Sequence, residues 1–273
     1  MKDFATRHLA AIVLMGLVST LFAQFLPEEI AQRAFIGDFL STAEIIKAEE
    51  IGEGVTKPIR LTLRKDGREE RAAWKNPSGW QYGFWEGWQY EIAAYRMDKL
   101  LGLGMIPPTV EREYLGKKGS LQYWAKVETS LLKIVENKIK IPDEFLDRTE
   151  KAKYLTSAFD SLIANEDRTQ QNMLYTKDWR GILIDHSRSF RKGPEFSDRL
   201  LYGQGAKGRP LPFRRLPRAF VDRIKALTFE SIRTAVGPYL TDEEIRAVMA
   251  RKDLVLKEIE EMIRAQGEAK VLY

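Results

Sequence analysis

The sequence predicts an α+β chain: a β-rich first half carrying one helix, then a mainly helical second half, with a short apolar segment ahead of both. Three observations predict it. Between residues 43 and 127, short alternating runs are separated by glycine-bearing turns, the pattern of antiparallel hairpins. After Thr129 the apolar spacing becomes that of amphipathic helices. Inside the helical half, one pair of short apolar runs, 173–175 and 182–184, reads as a β-hairpin and is bracketed by Asp167, Asn172 and Asp185.

Composition narrows the chemistry. The chain has 273 residues, 44% hydrophobic and 30% charged, so it can bury a full core and is not disordered. A net charge of +5 is too mild to argue for nucleic acid, and no zinc-finger, helix-turn-helix or RNP-like pattern is present, so no nucleic-acid partner is expected. The absence of Cys removes disulfides, thiolate nucleophiles and Cys-ligated zinc together. With only His8 and His186, a multi-His metal site cannot be built, and a Ser-His-Asp triad would have to use His186.

Residues 1–23 begin with Lys2 and Arg7, continue through an apolar run and end in small residues. That is the pattern of a secretory signal cleaved after Ala23. Residues 9–26 are also nearly long enough for a membrane anchor, so membrane association through them is the alternative. The expectation is an exported or membrane-anchored protein, periplasmic or extracellular if the leader is cleaved. Residues 24–42 form a short helical extension, with Pro27 and two acids in the first turn of a helix over 27–35.

The β-rich lobe runs over 43–128. Strands are expected at 43–51, 59–63 and 71–75, with turns at Gly52 to Pro58 and at Asp66-Gly67. Gly52 and Gly54 leave the first turn free of Cβ atoms, so its backbone can approach a phosphate; most such loops are only turns. The helix over 86–101 stops at Gly102. Before it, residues 80–90 are rich in aromatics, and four of the six Trp fall between 74 and 88. They read either as a platform for a sugar, lipid headgroup or peptide, or as an insertion folded onto the small lobe, the second being favoured. A further hairpin spans 105–127. The lobe over 129–273 holds a strong amphipathic helix at 150–164, the short hairpin, a polar loop at 188–208, and helices at 217–227, 229–235 and 242–266. A basic stretch carrying Lys207, Arg209, Arg214, Arg215 and Arg218 reads as a solvated loop.

Two oxygen ligands, Asn172 and Asp185, and a separate carboxylate, Asp167, suit a divalent-metal-dependent phosphoryl transfer. Upstream, Lys75 ends the third strand and Glu91 lies in the helix, where it can hold the lysine.

In this order the parts resemble a two-lobed, protein-kinase-like fold. The resemblance is sharpest to the atypical, lipid-kinase-like branch, which includes HipA-type kinases, type II phosphatidylinositol 4-kinases and secretory-pathway kinases of the Golgi casein kinase type. Residues 91–101 with 106–110 look like the helix and next strand of the secretory group. Asn165-Glu166-Asp167-Arg168 with Asn172, and Asp185-His186-Ser187-Arg188-Ser189-Phe190, are similar to the catalytic loop and metal-binding segment of the HipA and lipid-kinase groups. The resemblance implies ATP with Mg2+ or Mn2+, and the γ-phosphoryl as the group transferred to a hydroxyl of a protein, lipid headgroup or sugar. It implies Asp167 as the catalytic carboxylate and Arg168 in a charge role beside it. Asn172 and Asp185 would hold the metal. Lys75 would bind phosphates and Glu91 would position Lys75 or the metal, Gly52 and Gly54 would cover the nucleotide, and the backbone of Val127 or Glu128 would meet the adenine. The segment departs from the protein-kinase pattern in having His186-Ser187 after Asp185. The alternatives are AMP transfer by the same fold and a catalytically inactive kinase-like binding protein at the cell surface.

Overall fold

A computed structural model describes residues 24–52, 58–81, 83–203 and 213–273. The expected leader at 1–23, Gly54, and the basic residues Lys207 and Arg209 lie outside the described residues. Among the described residues, no helix is long and apolar enough to cross a membrane.

The chain opens with α1 (Pro27–Ala31) and α2 (Arg33–Thr42). Strands β1 (Glu44–Glu50), β2 (Ile59–Lys65) and β3 (Arg68–Lys75) follow. The β2–β3 turn is Asp66-Gly67, both with positive φ, the backbone that a two-residue hairpin loop demands. A separate hairpin, β4 (Ser78–Gln81) and β5 (Phe84–Gly87), leads into α3 (Trp88–Leu101). Strands β6 (Thr109–Tyr114) and β7 (Lys117–Tyr123) complete an antiparallel five-stranded sheet of order β1-β2-β3-β7-β6.

Helix α2 is part of this lobe rather than an appendage to it. Ile36, Phe39 and Leu40 of α2 pack on Leu61, Leu63, Ala72, Trp74 and Leu121, which alternate inward from the strands. Helix α3 instead belongs to the larger core. Ala93, Ala94, Met97 and Leu101 join residues of the helical lobe, so the helix ties the two lobes together. It ends at Gly102, whose φ of 65° makes the left-handed cap expected there.

The helical lobe begins with β8 (Thr129–Ser130), α4 (Leu131–Glu136) and α5 (Leu146–Ile163). Strands β9 (Met173–Tyr175) and β10 (Gly181–Leu183) form the expected hairpin, and β8 adds a third strand beside β9. Helices α6 (Pro194–Ser197), α7 (Arg218–Ala226), α8 (Phe229–Val236), α9 (Asp242–Gln266) and α10 (Glu268–Val271) complete the lobe. The N-terminus of α9 is closed by a capping box between Thr241 and Glu244.

Candidate active site at the lobe junction

Lys75 is the last residue of β3 and pairs across the sheet with Ser120 of β7. The neighbouring strand approaches closely: a Cβ on Gly119 would lie 2.5 Å from the Lys75 carbonyl, so this position requires glycine. The Lys75 side chain is buried. Its Nζ donates to Glu91 Oε1 at 2.9 Å and to Asp185 Oδ1 at 3.0 Å. Burial alone would lower its pKa, but the charges of Asp185 and Glu91 outweigh burial and hold it above the ordinary lysine value.

Glu91 stands in the first turn of α3 and is 1% exposed. Its Oε2 accepts the backbone N–H of His186 at 3.0 Å. Burial would raise its pKa, but the Lys75 charge and the hydrogen bonds from His186 and Lys75 hold it well below the carboxylate range. One carboxylate therefore fixes both the lysine of the β-lobe and the segment that carries Asp185. Asp185 itself has φ 60°, the left-handed backbone that Asp and Asn enter more readily than other non-glycine residues.

The loop that presents Asp167 hangs from a buried acid. Helix α5 ends in a left-handed Ala164, and the Asn165 N–H returns to the Asp160 carbonyl at 2.9 Å. Asp160 is fully buried and accepts Arg168 Nε at 2.8 Å, Arg168 Nη2 at 3.1 Å and Asn165 Nδ2 at 3.1 Å. Arg168 Nη1 donates to the carbonyls of Asn172 at 2.9 Å and Ile184 at 2.7 Å, and Nη2 also meets His186 Nε2 at 2.9 Å. A guanidinium has five N–H donors, and here all five are taken. Arg168 thus clamps the loop to the Asp185 segment from behind and has no donor left for a phosphate. The same contact makes His186 Nε2 an acceptor, so Nδ1 carries the proton, 3.6 Å from Glu91 Oε2. Burial is the main reason that the His186 pKa lies below its ordinary value.

Asp167 receives its own loop's support through its N–H, which donates to Asn165 Oδ1 at 3.2 Å. Its carboxylate meets Arg188 Nη1 at 3.0 Å. Asn172 is buried, and its Nδ2 donates to the Asp167 carbonyl at 3.3 Å, leaving Oδ1 as a ligand atom. The Ile184 N–H donates to the Asn172 carbonyl at 3.2 Å, so the hairpin sets Asn172 beside Asp185 in the chain path. Asn172 Oδ1 and Asp185 Oδ2 are hard oxygen donors of the kind that Mg2+ or Mn2+ takes. Among the described residues no group of three or more His, Asp or Glu converges as a metal cage. A cation held by Asn172 and Asp185 would complete its shell with water and substrate oxygens, which is how Mg2+ is ordinarily bound.

Two residues of the cluster escaped the sequence reading. Arg188 Nε and Nη2 both reach Glu86 Oε1, at 2.7 and 2.6 Å, so one guanidinium bridges Glu86 and Asp167. Glu86 is 1% exposed, and burial raises its pKa despite the arginine. A charge in an aromatic stretch was the only signal for Glu86, and its partner lies 102 residues away. The aromatics themselves do not fold onto the small lobe as favoured. Trp80 and Trp85 are a cross-strand pair on the β4–β5 hairpin and remain 69% and 39% exposed, whereas Glu86 and Gly87 at the end of β5 are buried.

The remaining expected nucleotide contacts divide. Gly52 is exposed, with φ 70°. Val127 is 37% exposed in the segment joining the lobes. The Glu128 N–H donates to the Tyr175 carbonyl at 2.8 Å. Two cavities, of about 460 and 600 Å3, lie elsewhere, and Lys75, Asp167 and Asp185 line neither.

No family model matches the chain, and no curated protein matches it in sequence. Among solved structures, the chain is similar to the crystal structure of a Helicobacter pylori proinflammatory kinase, CtkA. The identity is 10%, the likeness covers 84% of this chain and 96% of that one, and the TM-score is 0.48.

Proposed function

We propose that the protein is an atypical, protein-kinase-like phosphotransferase that moves the γ-phosphoryl group of ATP to a hydroxyl of a protein, lipid headgroup or sugar. The observation that carries this reading is the contact of Lys75 with both Glu91 and Asp185, at 2.9 and 3.0 Å, at the junction of a β-sheet lobe and a helical lobe. A buried lysine fixed by two carboxylates is a preformed site for phosphate oxygens. Asp167, held on its loop by Asn165, is the carboxylate that would orient and deprotonate the acceptor hydroxyl. Asn172 and Asp185 would hold Mg2+ or Mn2+, which when bound neutralises charge on the phosphates. The HipA-type, type II phosphatidylinositol 4-kinase and Golgi casein kinase-type motifs of the sequence support the atypical branch within this reading. The test is release of labelled γ-phosphate by the full chain with Mg2+ and with Mn2+. Transfer by the wild type and its loss in Asp167→Ala are expected; equal rates for the two would refute the enzyme.

A second reading, nucleotide binding without turnover, is favoured by the Asp167–Arg188 ion pair, which occupies the catalytic carboxylate. Metal-dependent ATP binding without γ-phosphate loss, in the wild type and in Arg188→Lys alike, would select it. The leader motif supports an exported or anchored location, and a topology reporter at the C-terminus tests on which side of a membrane the domain lies.

A further inference from the structure

The cavity of about 460 Å3 lies where α2, the C-terminal end of α3 and α7 meet. Arg33, Tyr95, Lys99, Gly102, Gly104 and Arg223 line it, and no acidic side chain does. The Arg33 side chain is 10% exposed, and its Nη2 pairs with Asp98 at 2.9 Å. Asp98 has little left to give, since its Oδ1 accepts the Met105 and Ile106 N–H groups at 2.7 and 3.1 Å. Arg33 Nε is buried without a hydrogen-bond partner. Lys99 makes no ion pair or hydrogen bond among the described residues; its Nζ lies 4.9 Å from the Tyr95 ring centre, and the Arg33 guanidinium lies 5.5 Å from the same ring. Burial, followed by the charges of Arg96 and Arg33, lowers the Lys99 pKa. Arg223 reaches the cavity because residue 102 is glycine: a Cβ there would fall 1.3 Å from Arg223 Nη1, which donates to the Leu101 carbonyl at 2.9 Å.

We infer that this cavity is a binding site for a phosphate group, either free or carried by a membrane lipid. A buried arginine donor without an acceptor, a second cation on the same ring and a third admitted by a glycine form a site with an excess of positive charge. A tetrahedral oxyanion answers that excess with the acceptor oxygens that the lining lacks. The lipid source has its own support. Residues 9–26 are the apolar segment of the sequence. At its C-terminal end, the Phe25 N–H donates to the carbonyl of cavity residue Gly104 at 2.6 Å, while Arg33 stacks 5.3 Å from the Phe25 ring. This inference stands apart from the phosphotransferase reading, because none of its residues contacts Lys75, Asp167 or Asp185.

The experiment measures binding of inorganic phosphate and glycerol phosphate to the full chain by calorimetry, and its co-sedimentation with phosphatidylglycerol or phosphatidylcholine vesicles. Lys99→Gln is expected to weaken phosphate binding by about ten- to a hundredfold, the loss of one charge-assisted contact. Lys75→Met is expected to leave it unchanged, which separates this site from the lobe junction. Soluble phosphates binding as well as vesicles identifies a free phosphate; preference for phosphatidylglycerol vesicles, lost in Lys99→Glu but kept in a Lys140→Glu charge control, identifies the lipid. Absence of both kinds of binding in the wild type, or binding that Lys99→Gln and Arg223→Gln leave intact, would overturn the inference and leave the cations to serve the end of the helix.

Discussion

The two ends of α3 hold charge clusters of opposite balance. In the first turn, Glu91 meets Lys75 and the His186 N–H, and Asp185 takes the lysine's second donor contact. Two carboxylates there surround one cation, leaving an excess of negative charge that a bound metal ion would offset. Toward the last turn, Arg33, Lys99 and Arg223 line one cavity with no acidic side chain in its lining, and Asp98, which pairs with Arg33, has its other oxygen committed to two backbone amides. The difference teaches that one helix can present a cation-seeking and an anion-seeking surface about three turns apart, each stabilised only in part by its own side chains.

Breaking the first cluster is expected to have the largest effect. Asp167→Ala should lower phosphoryl transfer by about 10²–10⁴-fold, the contribution of a positioned general base, with urea unfolding little changed. Labelled phosphate release and the urea midpoint measured on the same preparation check both halves.

Next comes the buried pair itself. Glu91→Gln leaves Lys75 with one partner and should cost about 3–5 kcal/mol, the usual penalty of an uncompensated buried charge. The pH dependence sharpens the point. Glu91 and His186 both have folded pKa values below their ordinary 4.5 and 6.5, so the unfolded chain binds each proton more tightly. The stability that they contribute is present above those ordinary values and is lost as the pH falls below them. Urea midpoints should therefore fall from pH 7.5 to pH 5 in the wild type through His186, and further toward pH 4 through Glu91. An unchanged midpoint at pH 5 would contradict the assignment of a buried, neutral His186.

A smaller loss is expected at the bridge between Glu86 and Asp167. Arg188→Ala strands the Glu86 carboxylate and should cost about 3 kcal/mol. Adding Glu86→Gln should recover most of that loss; additive losses in the double variant would mean that the two side chains act separately. The smallest effect belongs to the opposite end of the helix. In phosphate-free buffer Lys99→Gln should change stability by no more than about 0.5 kcal/mol, because Lys99 has no carboxylate partner to strand. A loss above 1.5 kcal/mol would show an ion pair where none is described.

Much of the fold was legible because local chemistry decides it. Asp66-Gly67 set one hairpin, Gly102 ended α3, and the Thr241–Glu244 box opened α9 at the expected residue. The core of the site was legible too, since Lys75, Glu91 and Asp185 carry types and spacing that suit one chemistry. The inward path of Arg168 was not legible, because its partners are not its neighbours in the sequence. Only Asp160 on α5 and two carbonyls on other segments turn it inward.

What the sequence determined by itself, then, is what depends on neighbours along the chain: strands, caps, turns and the candidate charges. The tertiary structure alone decided which charges face each other. Arg188 finds Glu86 across 102 residues, and Arg33 finds Asp98 across 65. It also decided that α3 joins the larger core while α2 covers the sheet. The reason is physical: hydrogen bonds within turns and helices are fixed by residue type over a few positions, whereas the pairing and burial of charge depend on distances that exist only once the two cores have formed.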